Sequence, residues 1–330
     1  MILVYSQDKG LELGKLLCIG PDRRGLPYRF VALATTEALR KSFKNNVCKF
    51  SQQKTTQTYV AIENKSIIGL VQVRPQEWES RILGVDVFAL DVIPWDGAED
   101  MFTPGCVRKA INYVRSISPR ALITTKVWTS ETRIIRFLLG KGFSLVDTSL
   151  EMVMVPLESV QSNGTTHSLP KEFSIRLADL RDQEALRVLA GEAFADHFGR
   201  FHSDANIDKK KATEIYQEWI VSCLQGWADF VFLAEDSETS RPAGFSAWKK
   251  PTPIEESSDL QIGHYSIGAV SPSFANKGLF KCLTLAGTEA LKNCQAIEGP
   301  TSLRNIPVQR GYFSLGWKIA DSRHILHFWT

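Results

Sequence analysis

The stretch "RNIPVQRGYFSLGW", Arg304 to Trp317, mixes loop breakers with a helix-like apolar run and sets Tyr312 seven residues after Asn305 and four before Gly316. Its spacing recurs in the first half of the chain. In "ETRIIRFLLGKGF" the residues Glu131, Ile134, Leu138, Gly142 and Phe143 keep the mutual distances of Asn305, Val308, Tyr312, Gly316 and Trp317, so that Gly142 corresponds to Gly316. A second landmark agrees. "TYVAIENKSIIGLVQV" (Thr58 to Val73) alternates as a strand, turns and returns as a strand, and "FVFLAEDSETSRPAGFSAWK" (Phe230 to Lys249) repeats this with a longer turn. The returning strands carry Gly69 and Gly244, whose separation matches that of Gly142 and Gly316 to within a single position. Two landmarks in such agreement imply an internal duplication.

Between the copies lies "PLESVQSNGTTHSLPKEF", Pro156 to Phe173, rich in Ser, Thr, Gly and Pro. It predicts two tandem domains, 1–156 and 173–330, joined by a linker over 157–172. The repeated pattern predicts an α+β class, each domain a mixed, mostly antiparallel sheet flanked by helices. The length of 330 residues suits about two domains, and 44% hydrophobic residues suffice for a sizeable core. A net charge of +3, from 39 basic and 36 acidic residues, makes no field suited to nucleic acid or an acidic membrane. The six cysteines form no C-x-x-C pair and no cluster with histidine at metal-ligand spacing, so reduced core thiols and no metal are expected. The start "MILVYSQDKG" lacks the regions of a signal peptide, and no stretch approaches 18 apolar residues, so a soluble cytoplasmic protein is expected.

Upstream of the opening stretch, "LQIGHYSIGAVSPSFANKGLFKCLTLAGTEALKNC" (Leu260 to Cys294) reads as a strand, a loop with Pro272 and Gly278, and a helix whose apolar residues Leu279, Leu283, Ala286, Ala290 and Leu291 share one face. A glycine-containing loop running into a helix N-terminus presents free N–H groups and the positive end of the helix dipole, which suits a pyrophosphate. The same pattern also serves as a plain strand–turn–helix connection. In the first half, the corresponding "DVIPWDGAEDMFTPGCVRKAINYV" (Asp91 to Val114) has no such loop, and Leu138 stands at the tyrosine position.

Together, the loop with Val270, Pro272 and Gly278 and the segment "SLRNIPVQRGYFSLGWKIADSRHILHFW" (Ser302 to Trp329) resemble the GCN5-related N-acetyltransferase (GNAT) superfamily. The resemblance implies that acetyl-CoA lies along Ala269, Val270, Asn276, Lys277, Gly278, Leu279, Phe280 and Asn305. It also implies that Tyr312 is the general acid for the departing thiolate, which a phenol can be because its ordinary pKa near 10 keeps it protonated at neutral pH. Tyr312 equally fits a plain role in packing its helix. Ala275 and Phe280 depart from the family's usual Arg or Gln and small residue, which implies weakened CoA binding. The first half is expected to be a degenerate copy.

A narrower resemblance, to dTDP-fucosamine acetyltransferases, rests on Trp78, Glu79, Ser80, Ile82, Leu83 and Gly84, on Gly142 to Val146, and on Ala193, Phe194, Ala195, Arg200 and Phe201, followed by Tyr216 and Trp219. It implies acetyl transfer to the primary amine of a nucleotide-linked amino sugar, with Arg200, Phe201 and His202 at the substrate, and a monomer or homodimer. Two residues are candidates for the base: His264, at a strand position where histone-type members carry a catalytic Glu, and Asp147. A strand histidine satisfying a hydrogen bond, a surface aspartate and a solvated basic turn describe the same residues. Other acceptors, such as a small metabolite, an aminoacyl group or a protein terminus, stay open, as does a non-catalytic CoA-binding protein.

Overall fold

A computed structural model of the chain describes residues 2–5, 26, 28–31, 34–63, 66–94, 103–156 and 168–330. These divide into two compact units: Met1–Thr148 with Ile254–Leu260 and Ser322–Thr330, and Ser149–Pro253 with Gln261–Asp321. No helix among the described residues is long and apolar enough to cross a membrane.

The first unit runs β1 (Ile2–Tyr5), α1 (Thr36–Ser51), β2 (Gln57–Glu63), β3 (Ser66–Pro75), α2 (Glu77–Leu83), β4 (Asp86–Pro94), α3 (Thr103–Ile117), β5 (Ala121–Trp128) and α4 (Thr132–Gly140), and β6 (Ser144–Met154) begins in it. Thr35 caps α1, its hydroxyl accepting the Ala38 N–H at 3.1 Å. On α3, Cys106, Val107, Ala110, Ile111 and Val114 recur at helical spacing and pack on Val71, Val73, Leu90 and Ile123 of the sheet. The pairing is antiparallel except between β4 and β5, which run parallel from Asp86↔Ala121 to Ala89↔Thr124.

The chain continues with β7 (Phe173–Leu177), α5 (Gln183–Ala193), α6 (Lys209–Ser222), β8 (Phe230–Asp236), β9 (Pro242–Lys249), a single turn α7 (Pro253–Glu256), β10 (Ile262–Val270), α8 (Leu279–Ala290), β11 (Ala296–Ser302), α9 (Ile306–Ser314) and β12 (Lys318–Trp329); α7 from Ile254 and β12 from Ser322 belong to the first unit, the rest to the second. Strand alternation gives the second unit's sheet two apolar faces. Val231, Leu233, Phe245, Ala247 and Ile267 meet Leu186, Leu189 and Ala190 of α5 and Ile220 of α6. Trp248 and Ile297 pack with Leu291, Tyr312, Leu315 and Trp317 in the α8–α9 layer.

The copies correspond strand for strand, β1–β6 with β7–β12, while among the described residues one helix, α1, stands between the first two strands where the second copy has α5 and α6. α9 matches α4 at both ends (Ile306 against Thr132, Ser314 against Gly140), and β10 likewise matches β4 in length and in place (Ile262 against Asp86, Val270 against Pro94). Each sheet, however, takes a strand from the other half. Arg323–Trp329 of β12 pairs antiparallel with Trp128–Leu122 of β5 in the first unit, and Ser149–Met154 of β6 pairs antiparallel with Ser302–Ile297 of β11 in the second. The division expected at 157–172 is displaced accordingly. The strand running into that segment belongs to the second unit from Ser149 on, while Ser322–Thr330 belongs to the first. Of the expected linker, 157–167 lie outside the described residues. The last strand of each copy pairs through its backbone, and either copy's parallel strand offers the same open edge.

Candidate functional site

The position of Tyr312 follows from how its helix ends. Gly316 adopts φ +80°, a left-handed conformation that a glycine takes without steric cost. This lets the Gly316 N–H bond the Phe313 carbonyl at 3.1 Å and the Trp317 N–H bond the Tyr312 carbonyl at 3.0 Å. The Tyr312 and Trp317 rings then stand 4.5 Å apart, the apolar contact that completes such a helix end. The first copy ends identically, Gly142 at φ +92° and the Phe143 N–H on the Leu138 carbonyl at 3.1 Å. The glycine–aromatic pair that begins four residues on is therefore the stop signal that aims the side chain at 312 inward.

Tyr312 is fully buried, and its hydroxyl has no hydrogen-bond partner among the described residues. Its ring lies 5.4 Å from Phe280 and 6.1 Å from Tyr265. Burial, reinforced by Tyr265, holds the phenol's pKa well above 10. The hydroxyl faces Gly299, where a Cβ would come within 2.7 Å of it. Gly299 directly follows the end of the parallel pairing of β10 with β11, which runs only from Ile262↔Ala296 to His264↔Glu298. Beyond that point β10 keeps β9 as its partner, with an irregularity between Tyr265 and Ile267, so its edge over Tyr265–Val270, Ala269 and Val270 included, is open toward β11. An orphaned proton donor thus lies where two parallel strands part.

The loop after β10 leads to α8. A short 3₁₀ turn at Pro272–Phe274 is followed by two left-handed residues, Asn276 at φ +62° and Gly278 at φ +78°. Gly278 is the N-cap of α8, and around its missing Cβ lies open space. The Lys281 and Cys282 N–H groups bond the Gly278 carbonyl, so the first helical N–H groups, those of Leu279 and Phe280, precede the helix's own bonding pattern. That end can hold an anion. Phe280, where the resembling family has a small residue, turns its ring onto Gly311 and toward Tyr312.

The remaining expected residues take varied places. His264 Nδ1 stands 2.8 Å from Glu298 Oε1 across the last paired position of β10 and β11. Asp147, expected at the surface in one reading, is buried in the first unit and accepts the Thr148 N–H at 2.8 Å. Asn305, expected at acetyl-CoA, caps α9, its Oδ1 accepting the Val308 N–H at 3.4 Å. Phe201 is 2% exposed beneath the Arg200 guanidinium, 4.2 Å away, so packing occupies it rather than an open substrate surface. His202 Nε2 lies 3.1 Å from Thr213 Oγ1, while its buried Nδ1 has no partner among the described residues. Lys277 is exposed. In the first copy, Trp95–Phe102 of the segment expected to lack a phosphate loop lie outside the described residues.

Four residues that the spacing motifs did not single out belong to the same region. Tyr265 and Gly299 border the Tyr312 hydroxyl, and Glu298 holds His264. Arg304 donates to the Phe198 carbonyl and to Ser203 Oγ, tying the loop before α9 to the α5–α6 connection. Its place directly before the helix-start Asn305 was the available signal.

No protein-family model matches the chain, and no curated protein matches it. Solved structures do. A GCN5-related N-acetyltransferase from Sphaerobacter thermophilus superposes with a TM-score of 0.67 at 10% identity, over 99% of this chain and 95% of its own. A tandem GNAT protein from the clavulanic acid biosynthesis pathway gives 0.58 at 13%, over 100% and 98%. A Drosophila protein gives 0.55 at 13%, over 100% and 98%. The chain has the tandem GNAT fold.

Proposed function

We propose that the second unit is an N-acetyltransferase that moves the acetyl group of acetyl-CoA to a primary amine. The observation that carries this is the Tyr312 hydroxyl, fully buried and unpartnered at the parting of β10 and β11. A buried donor left unsatisfied costs about 1–3 kcal/mol, a cost accounted for if a substrate group accepts its proton. The residues fit the donor at its other end as well, because Gly278 leaves space beside the first N–H groups of α8 for a pyrophosphate.

Acetyl-CoA supplies a thioester whose sulfur departs as a thiolate. Leu279 and Phe280 hold its phosphates through their N–H groups, with Asn276 and Lys277 in the loop that precedes them. Backbone N–H groups of the open β10 edge near Ala269 and Val270 meet the acyl oxygen. Tyr312 delivers the proton from Oη to the leaving sulfur. His264, on the same strand and oriented by Glu298, takes the proton of the attacking amine.

We favour the amine of a nucleotide-linked amino sugar as acceptor. The likeness of the Trp78–Gly84 and Ala193–Phe201 segments supports it, with Arg200 and His202 as the residues proposed to meet substrate phosphates. Phe280, filling the space beside Tyr312, favours a second reading, a protein that binds acyl-CoA without turnover. Thiol release from acetyl-CoA, followed with a panel of amines that includes dTDP-linked aminodideoxy sugars, separates the readings. Acceptor-dependent release supports the enzyme, and acetyl-CoA binding without release from any amine supports the second reading.

A further inference from the structure

The first unit contains a pocket of about 330 Å³, at the lower end of the roughly 300–1,000 Å³ usual for small-molecule sites. Its place in the fold is the counterpart of the parting described above. β4 and β5 stay paired only as far as Ala89↔Thr124, and the residues beyond, Asp91–Ile93 and Lys126–Trp128, line the pocket together with the inward face of α1. All of its lining residues belong to the first unit.

Its polar groups are arranged in advance. Arg74 donates from Nε to Asp91 Oδ2 at 2.7 Å, and its guanidinium lies 4.2 Å from the centre of the Phe50 ring. Both partners hold the planar fork in place, and neither terminal nitrogen of Arg74 makes a hydrogen bond to a described residue. Two positions earlier on the same strand face, Gln72 is 2% exposed, and its amide nitrogen is committed to the Val47 carbonyl, Ser51 Oγ and Thr58 Oγ1. What Gln72 has left to offer is its amide oxygen. Leu39, Phe43, Val47 and Trp128 supply apolar wall.

We infer that this pocket binds a small organic carboxylate carrying an aromatic or branched apolar body. A pre-oriented guanidinium with open terminal N–H groups matches a planar carboxylate through two parallel bonds. Arg74, Lys126 and Arg323 stand against Asp91 and Glu131 in the lining, which leaves one positive charge in excess, so a monoanion suits the site and a phosphate dianion does not. The apolar wall accounts for the body of the ligand, and the Gln72 oxygen for one further donor on it.

The test is calorimetric titration of the full chain, without acetyl-CoA, using 3-phenylpropionate, its amide, 3-phenylpropylamine and inorganic phosphate. The carboxylate binds once per chain, and the amide, the amine and phosphate bind at least about tenfold more weakly. Arg74→Gln weakens the carboxylate by at least about tenfold, and Asn46→Phe, which puts a ring into the pocket from α1 and leaves the Arg74–Asp91 pair intact, does the same while Asn46→Ala retains binding. Should Arg74→Gln fail to fold, the two Asn46 variants decide the matter. No carboxylate binding up to about 10 mM, equal binding of acid and amide, or binding indifferent to Asn46→Phe overturns the proposal.

Discussion

Gly299 and the Tyr312 hydroxyl face each other so closely that a Cβ on the glycine would come within 2.7 Å of the oxygen, and within 3.1 Å of the Trp317 ring. β11 can pass this point only without a side chain. Gly299→Ala therefore displaces the phenol, a change of the overpacking kind that costs about 1–3 kcal/mol. Denaturant unfolding is expected to show that loss, and thiol release is expected to fall with it. A variant of unchanged stability and activity would mean that the hydroxyl does not occupy this position.

Tyr312→Phe separates a working phenol from a packed one. Removing an unpartnered buried hydroxyl while keeping the ring leaves stability equal or raises it, by up to the roughly 1–3 kcal/mol that an unmade bond costs. Loss of a general acid lowers kcat by roughly 100-fold to 10,000-fold. The combination of an undiminished melting temperature and a collapsed kcat is the expected outcome. Retention of more than about a third of kcat, with chemistry limiting, would remove the acid role. Because burial holds the phenol's pKa well above 10, any alkaline fall in wild-type rate below pH 10 is expected to come from another group.

Much of this arrangement was legible in the spacing of single residues. The Gly316–Trp317 and Gly142–Phe143 pairs announced two helix ends at corresponding places in the two halves, because a left-handed stop is a local requirement written in one residue. The exchange of β6 and β12 was not legible. Strand alternation says which face a residue takes, not which of two like edges its backbone joins. The site was legible in part. Gly278 stands at the loop-to-helix junction that the spacing gave it, and its left-handed conformation comes from the structure, but Asn305 and Phe201 are used by the fold itself, one capping α9 and the other packed beneath Arg200. A short polar side chain before a helix can serve either cap or ligand, and the burial of one phenylalanine depends on residues far away in sequence.

Gly278→Glu tests the donor end. The substitution forces a Cβ into φ +78° and places a carboxylate at the start of α8, where an incoming pyrophosphate would meet like charge. Acetyl-CoA affinity measured by calorimetry is expected to fall at least about tenfold, with the far-UV spectrum unchanged. Unaltered affinity would place the donor elsewhere.

His197 predicts an acid limb of stability. Burial first, and then His202 and Arg304, hold its imidazole down to a pKa of about 4. Above pH 6.5 folded and unfolded chains both carry it neutral. As the pH falls from there toward 4, the unfolded chain takes up a proton that the folded one refuses, and stability drops by up to about 1.4 kcal/mol per pH unit. His197→Phe, set between Phe198 at 4.9 Å and Tyr216 at 5.1 Å, is expected to flatten the dependence of melting temperature on pH over that window. An equal acid slope in both proteins would assign it to other groups.

Phe280 is where the two readings of the second unit part. Its ring fills the space of a missing Cβ at Gly311 and stands 5.4 Å from Tyr312, on the second residue of the helix proposed to hold the donor's phosphates. An aromatic there packs the approach to the orphaned hydroxyl, and admitting a thioester to Tyr312 requires the ring to move. Phe280→Ala removes that obstacle and, because the side chain is only partly buried, costs up to about 3 kcal/mol of stability. If the ring gates an active site, the KM for acetyl-CoA falls in the variant, kcat holds or rises, and bulkier acyl thioesters become donors. If the ring instead completes a site that binds without turnover, the variant gains affinity for acetyl-CoA and still releases no thiol with any amine. Loss of acetyl-CoA binding in a folded Phe280→Ala protein would contradict both, and would make the aromatic itself part of the donor's contact surface.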